Sequence, residues 1–215
     1  MLLLAMLIVT SCEEKKNKTQ QEDGWEDNVN YILRDSTVYG VCTDGSSMNM
    51  LQILTDNGDT MTINTTWAEE SNNVLGGYTT GDRMAILLRE DRSQALYVTN
   101  ISMLLGDWVM LDPMDGSSYV GIRIKDGGIA ESINQSTIIY KTWRMFNGKL
   151  EVVSVREDGG DFEDTEIFTI CKLTDNLLVI KDAEQVYEYT RPGMDEDYSD
   201  VEIDLEDSNP LDDVI

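Results

Sequence analysis

"LLGDWVMLD", Leu104 to Asp112, stands near the middle of a 215-residue chain. Gly106-Asp107 is a turn signal, and Trp108 to Leu111 is a run of strand-forming residues, so the stretch opens a β-strand. The same grammar repeats downstream. Short apolar-alternating runs predict strands at Gly106–Asp112, Tyr119–Lys125, Ile129–Asn134, Thr137–Phe146, Leu150–Arg156, Glu166–Lys172, Leu177–Lys181 and Val186–Arg191. Asp115-Gly116, Gly127-Gly128, Asn147-Gly148, Gly159-Gly160 and Asp175-Asn176 punctuate them with residues that tolerate positive φ. Eight short strands joined in sequence predict an up-and-down antiparallel barrel over residues 101–193. Closing such a meander removes its exposed edges.

Upstream, residues 36–100 carry a second β block. Strands are expected at Thr37–Thr43, Met48–Thr55, Thr60–Asn64, Asp82–Arg89 and Ala95–Thr99. Asn57-Gly58 between two alternating runs is a hairpin signal. Five short strands in so few residues resemble a small barrel of the OB or SH3-like kind. The fold class is therefore all-β: a small OB/SH3-like N-terminal barrel followed by an eight-stranded antiparallel one. OB folds that hold nucleic acid do so through basic grooves and stacking aromatics. This block has only three basic residues, Arg83, Arg89 and Arg92, which argues against that use.

Both ends of the chain read differently. "MLLLAMLIVTSC" opens with an apolar run too short to span a bilayer and ends in small residues before Cys12. The pattern resembles a bacterial lipobox. It implies a signal peptide over residues 1–12, with Cys12 as the lipidated first residue of the mature chain. Residues 13–35 begin with "EEKKNKTQQEDG" and read as a polar tether, in which Trp25, Val29, Ile32 and Leu33 have the spacing of a short amphipathic helix. Residues 194–215 hold ten Asp or Glu and no Lys or Arg, the composition of an acidic disordered tail.

The formal net charge is −25, a field that repels nucleic acid and anionic headgroups alike. The chain contains no histidine. Ser-His-Asp and Cys-His catalysis are thereby excluded, and the commonest zinc ligand is missing. No metal site, cofactor or catalytic residue is expected, and the chain is read as a non-enzyme. Cys42 and Cys171 lie within apolar strands, one in each block, and are expected as buried free thiols. An oxidising envelope would also allow them to pair.

The second block resembles the lipocalins. Their first barrel strand begins Gly-x-Trp, and an arginine on the last strand packs against that tryptophan. Here Gly106-Asp107-Trp108 opens the block, and "VYEYTR" ends in Arg191. The strands are shorter than in classical lipocalins, and the chain is more similar to the compact lipocalin-like domains of Bacteroidetes lipoproteins. The resemblance implies a barrel-closing structural role for Gly106, Trp108 and Arg191, and an outer-membrane, lipid-anchored location. It also implies non-catalytic binding of a small apolar ligand or an envelope component. The alternative is an accessory surface lipoprotein with a solid barrel that acts through protein or glycan contacts. On the long strand, one face carries Ile139, Lys141, Trp143 and Met145, and the other Ile138, Tyr140, Thr142, Arg144 and Phe146. Period two does not say which face points inward. The ligand-contact candidates, Tyr140, Trp143 and Phe146, are therefore drawn from both. Tyr187 and Tyr189 are read as half-buried strand aromatics.

Overall fold

The computed structural model describes residues 34–157 and 162–193. Cys12 and its lipobox, the helix expected in the tether, the Gly159-Gly160 turn and the acidic tail lie outside the described residues.

The first block forms β1 (Thr37–Cys42), β2 (Met50–Thr55), β3 (Thr60–Asn64), β4 (Val74–Leu75), β5 (Arg83–Leu88) and β6 (Ala95–Asn100), with a short helix, α1 (Thr66–Glu70), after β3. The sheet order is β3-β2-β1-β5-β6-β4. A single parallel bridge joins Asn64, at the end of β3, to Gln94, just ahead of β6. The sheet thus curls until its third strand meets the entry to its last long one, and the small barrel is partly open, as OB folds are. Two pieces had no sequence signal, α1 and the two-residue β4. Both sit in the long connection between β3 and β5, and α1 buries only Ala68.

Leu51, Ile53, Ile63, Met84, Ile86 and Val98 fill the interior of this curl and are sealed from solvent. They alternate along their strands, as one-sided burial requires. β5 is the exception. Met84 and Ile86 face the curl, while Ala85 joins the second core. Burial on both faces explains why β5 reads as a continuous apolar run, without alternation.

A one-turn helix, α2 (Ile101–Leu104), leads into the second block. Asn100 caps it: its side-chain oxygen accepts from the Met103 amide at 3.0 Å, and its amide donates to Asp82 at 2.8 Å. Eight strands follow, β7 (Gly106–Leu111), β8 (Tyr119–Lys125), β9 (Ile129–Ile133), β10 (Ile138–Phe146), β11 (Lys149–Arg156), β12 (Glu163–Leu173), β13 (Leu177–Lys181) and β14 (Val186–Thr190). They form a closed antiparallel barrel. Its last seam pairs Thr190 of β14 with Val109 of β7. Asn147 and Gly148, with φ of 48° and 76°, make the two-residue hairpin between β10 and β11 that their identities demand.

Two bulges interrupt the alternation. One lies between Tyr140 and Thr142 on β10, the other between Ile170 and Lys172 on β12. Each extra residue turns outward and changes which parity faces the core. On β10, Tyr140 before the bulge and Trp143 and Met145 after it all belong to the barrel interior or its packing. On β12, the extra residue is Cys171, which is exposed, whereas Cys42 is buried. Both thiols are free. The expectation of two buried thiols fails at Cys171 because it alternates with the inward-facing Phe168 and Ile170.

The described residues from Ser36 on form one compact unit, in which sheet and barrel share a core. Leu75 and Ala85 of the sheet pack into the same cluster as Trp108, Leu150 and Leu178 of the barrel. The Tyr39 hydroxyl donates to the Met145 carbonyl at 2.9 Å, and Thr37 Oγ1 accepts from the Asn147 amide at 3.0 Å. The sheet is therefore a stopper on one end of the barrel.

Candidate ligand-binding site

The stoppered end is built around Trp108, which has no solvent-exposed surface. Its Nε1 donates to the Leu104 carbonyl at 2.8 Å. The Arg191 guanidinium lies over the indole, 3.8 Å from the ring centre. Arg191 Nη1 donates to Leu105 O at 2.8 Å, Nη2 to Met103 O at 2.7 Å and Nε to Asp175 O at 3.2 Å. One planar fork thus satisfies carbonyls left free around the end of α2 while its face stacks on the ring. Gly106 makes room for it. With φ of 119°, Gly106 adopts a backbone that other residues avoid, and a Cβ there would lie 2.2 Å from Arg191 Nη1. The Trp108 and Arg191 donors are thus all engaged with the protein's own backbone.

The other end is open. A cavity of about 400 Å³ is lined by Met110, Val120, Ile138, Tyr140, Tyr187 and Tyr189, with the 112–114 and 134–137 loops at its rim. This volume lies within the ordinary range of small-molecule sites. Tyr187 and Tyr189 stack with ring centres 6.5 Å apart, and Phe168 meets Tyr187 edge-on at 5.9 Å. The Tyr187 hydroxyl donates to Asp182 Oδ2 at 2.9 Å. The side chains of Tyr140 and Tyr189 lie close enough to act on one another, and the Gln135 side chain is beside Tyr140.

Burial governs the charge states. Burial pushes Tyr140 and Tyr189 above the ordinary phenol range. Tyr187 is pushed up to about 12, first by burial and then by its bond to Asp182. All three remain neutral phenols near neutral pH. Asp182 is held below the usual carboxylate range by the amides of Gln185 and Glu184, so it stays anionic. Glu166 pairs across the sheet with the buried Val152 and shares its face with Phe168 and Ile170, which places it on the inner wall. Burial raises its carboxyl, and the charge of Asp182 adds to the effect.

Of the three aromatic residues singled out on β10, Tyr140 lines the cavity. Trp143 lies deeper, 8 % exposed, with Nε1 donating to Lys125 O at 2.7 Å. Phe146 is at the stoppered end of the strand, under the guanidinium of Arg144. The mouth takes its other aromatics from β14, Tyr187 and Tyr189, and its acid from β12. Glu166 has a readable signal, a carboxylate on the apolar parity of "EIFTI". Among the described residues, no group of three or more Cys, Asp or Glu is placed to hold a metal ion.

Residues 100–192 match the family model described as lipocalin-like. The barrel is lipocalin-like. Among solved structures, the chain is similar to a lipocalin-like protein from Bacteroides thetaiotaomicron, with 27 % identity, 41 % of this chain and 95 % of that one covered, and a TM-score of 0.37. No curated protein matches. The family match begins at Asn100, the cap of α2, and ends at Pro192, directly after Arg191. It therefore takes in both ends of the lipocalin-like barrel and leaves the curled sheet outside.

Proposed function

We propose that this chain is a non-catalytic envelope lipoprotein, lipid-anchored at the outer membrane through Cys12, whose lipocalin-like barrel holds a small ligand with an apolar body. The cavity of about 400 Å³ at the open mouth carries this reading. A barrel acting only through its surface has no need of a hollow end lined by three neutral phenols. Apolar walls with a few hydrogen-bonding groups are the usual make-up of a carrier site, where burial drives binding and the polar groups set orientation.

Native mass spectrometry of the protein taken from its own envelope tests both halves. The expected spectrum shows acyl chains on Cys12 and a co-purifying small molecule that Tyr189→Trp displaces by filling the cavity. A protein that carries no molecule and binds none from an envelope extract would leave the accessory surface role in its place. Cys12→Ala is expected to release the protein from membranes, and persistent membrane association would remove the anchor.

A further inference from the structure

The walls and rim of the mouth are acidic as well as aromatic. Glu166 and Asp182 stand beside the tyrosine cluster, and their charges act on its hydroxyls. Among the described residues, Glu166 has no hydrogen bond or ion pair, although half of it is withdrawn from water. A carboxylate kept on an apolar wall without a partner is costly unless something arrives to pair with it. Arg156, whose charge acts on Glu166, makes its ion pair with Asp164 at 3.4 Å. No Lys or Arg lines the cavity.

The sequence of the surrounding connections points the same way. The described residues of the connections at the mouth, 112–118, 134–137, 157, 162 and 182–185, contain five Asp or Glu and no Lys or Arg. The three short turns at the stoppered end, 126–128, 147–148 and 174–176, contain two acids. The chain is acidic throughout, and the mouth shares in that field with no basic residue in its described connections. A concave, low-dielectric mouth focuses such a field and gathers cations from solution.

We infer that the barrel takes an organic cation, an ammonium group on an apolar body, with the cation held between the Tyr187 and Tyr189 rings and the Glu166 carboxylate. The electron-rich faces of phenol rings attract ammonium groups, most strongly where water is excluded. The carboxylate supplies the countercharge, and the apolar body lies against Met110, Val120 and Ile138. The same arrangement repels fatty-acid carboxylates and phosphates, which find two anions and no basic residue in the site. This inference rests on the carrier reading above.

Calorimetric titration of the intact chain at physiological salt separates the two. The probes are octyltrimethylammonium, octanol and octanoate, which share a tail and differ in charge. The expected order is ammonium over octanol over octanoate, with at least a tenfold gap between the first and last. Glu166→Gln is expected to weaken the ammonium about tenfold and leave octanol unchanged. Because this substitution alters the net charge by only one, diffuse attraction to an acidic protein would not respond to it. Equal affinities, a preference for octanoate, or an ammonium affinity indifferent to Glu166→Gln would overturn the cation while leaving the carrier intact. If none of the three binds, the carrier reading fails and the cation with it.

Discussion

The two ends of the barrel are made from the same strands by opposite rules. At the stoppered end, the donors of Trp108 and Arg191 are used internally. Arg191 bonds three backbone carbonyls, Trp108 bonds a fourth, and the sheet's Leu75 and Ala85 close the space below. At the mouth, neutral phenols line a space that nothing from the chain's own described side chains fills, and the Glu166 and Asp182 carboxylates act on those phenols. A guanidinium saturated by carbonyls makes stability, whereas a carboxylate without a partner makes a site. The contrast teaches that the fingerprint of Gly106, Trp108 and Arg191 marks the end of the barrel opposite the open cavity.

Substitutions should separate the ends, with the largest effects at the stopper. Trp108→Ala removes the largest fully buried side chain and is expected to cost about 3–5 kcal/mol in denaturant unfolding. A cost below about 1 kcal/mol would mean that the ring is not the keystone. Arg191→Lys keeps the charge but loses the planar fork, leaving at least one of the Met103 and Leu105 carbonyls without its donor. Roughly 2 kcal/mol of lost stability is expected, with little change in ligand affinity. If affinity falls and stability does not, the division between the ends breaks down.

Effects at the mouth should be smaller on stability and larger on binding. Tyr189→Phe keeps the ring and removes one hydroxyl, so it is expected to cost less than about 1.5 kcal/mol in unfolding. Ligand affinity, followed by titration, should shift several-fold because the Tyr140 hydroxyl loses its neighbour.

Glu166 gives the smallest and most diagnostic effect. Its carboxyl is raised in the folded state above the ordinary value of 4.5. Between those two values the folded chain binds more protons than the unfolded one, so stability falls as pH rises through the window above 4.5. Glu166→Gln should therefore raise the unfolding midpoint at pH 7, and the gain should vanish on acidification towards pH 4. A gain that stays constant with pH would show that the carboxylate is already solvated, which would weaken the case for a site built around it.

Much of this architecture was legible in the residues. All thirteen strands named in advance exist within a few residues of their expected limits, because alternation and turn chemistry are local properties. Asn147-Gly148 imposed its hairpin for the same reason. The face of β10 was not legible. Tyr140 and Trp143 stand on opposite parities and yet both point inward, because the ladder between β10 and β11 slips by one residue at Lys141. Nothing in "IYKTW" announces that slip, which satisfies the closure of the whole barrel. Tyr187 and Tyr189 were plain in the sequence as strand aromatics. Their meeting with Glu166 was not, since β12 and β14 are separated by β13 and touch only across the interior.

By itself, the sequence determined the all-β rhythm, the fingerprint of Gly106, Trp108 and Arg191, the exclusion of histidine chemistry and the strong net acidity. Each follows from composition or from spacing along a few residues. Tertiary structure alone decided that a curled sheet stoppers one end, that bulges set the inward parity, and that three phenols and an unpaired carboxylate share one mouth. A cavity is the space left when strands distant in sequence close on one another, and no local pattern encodes what their packing leaves empty.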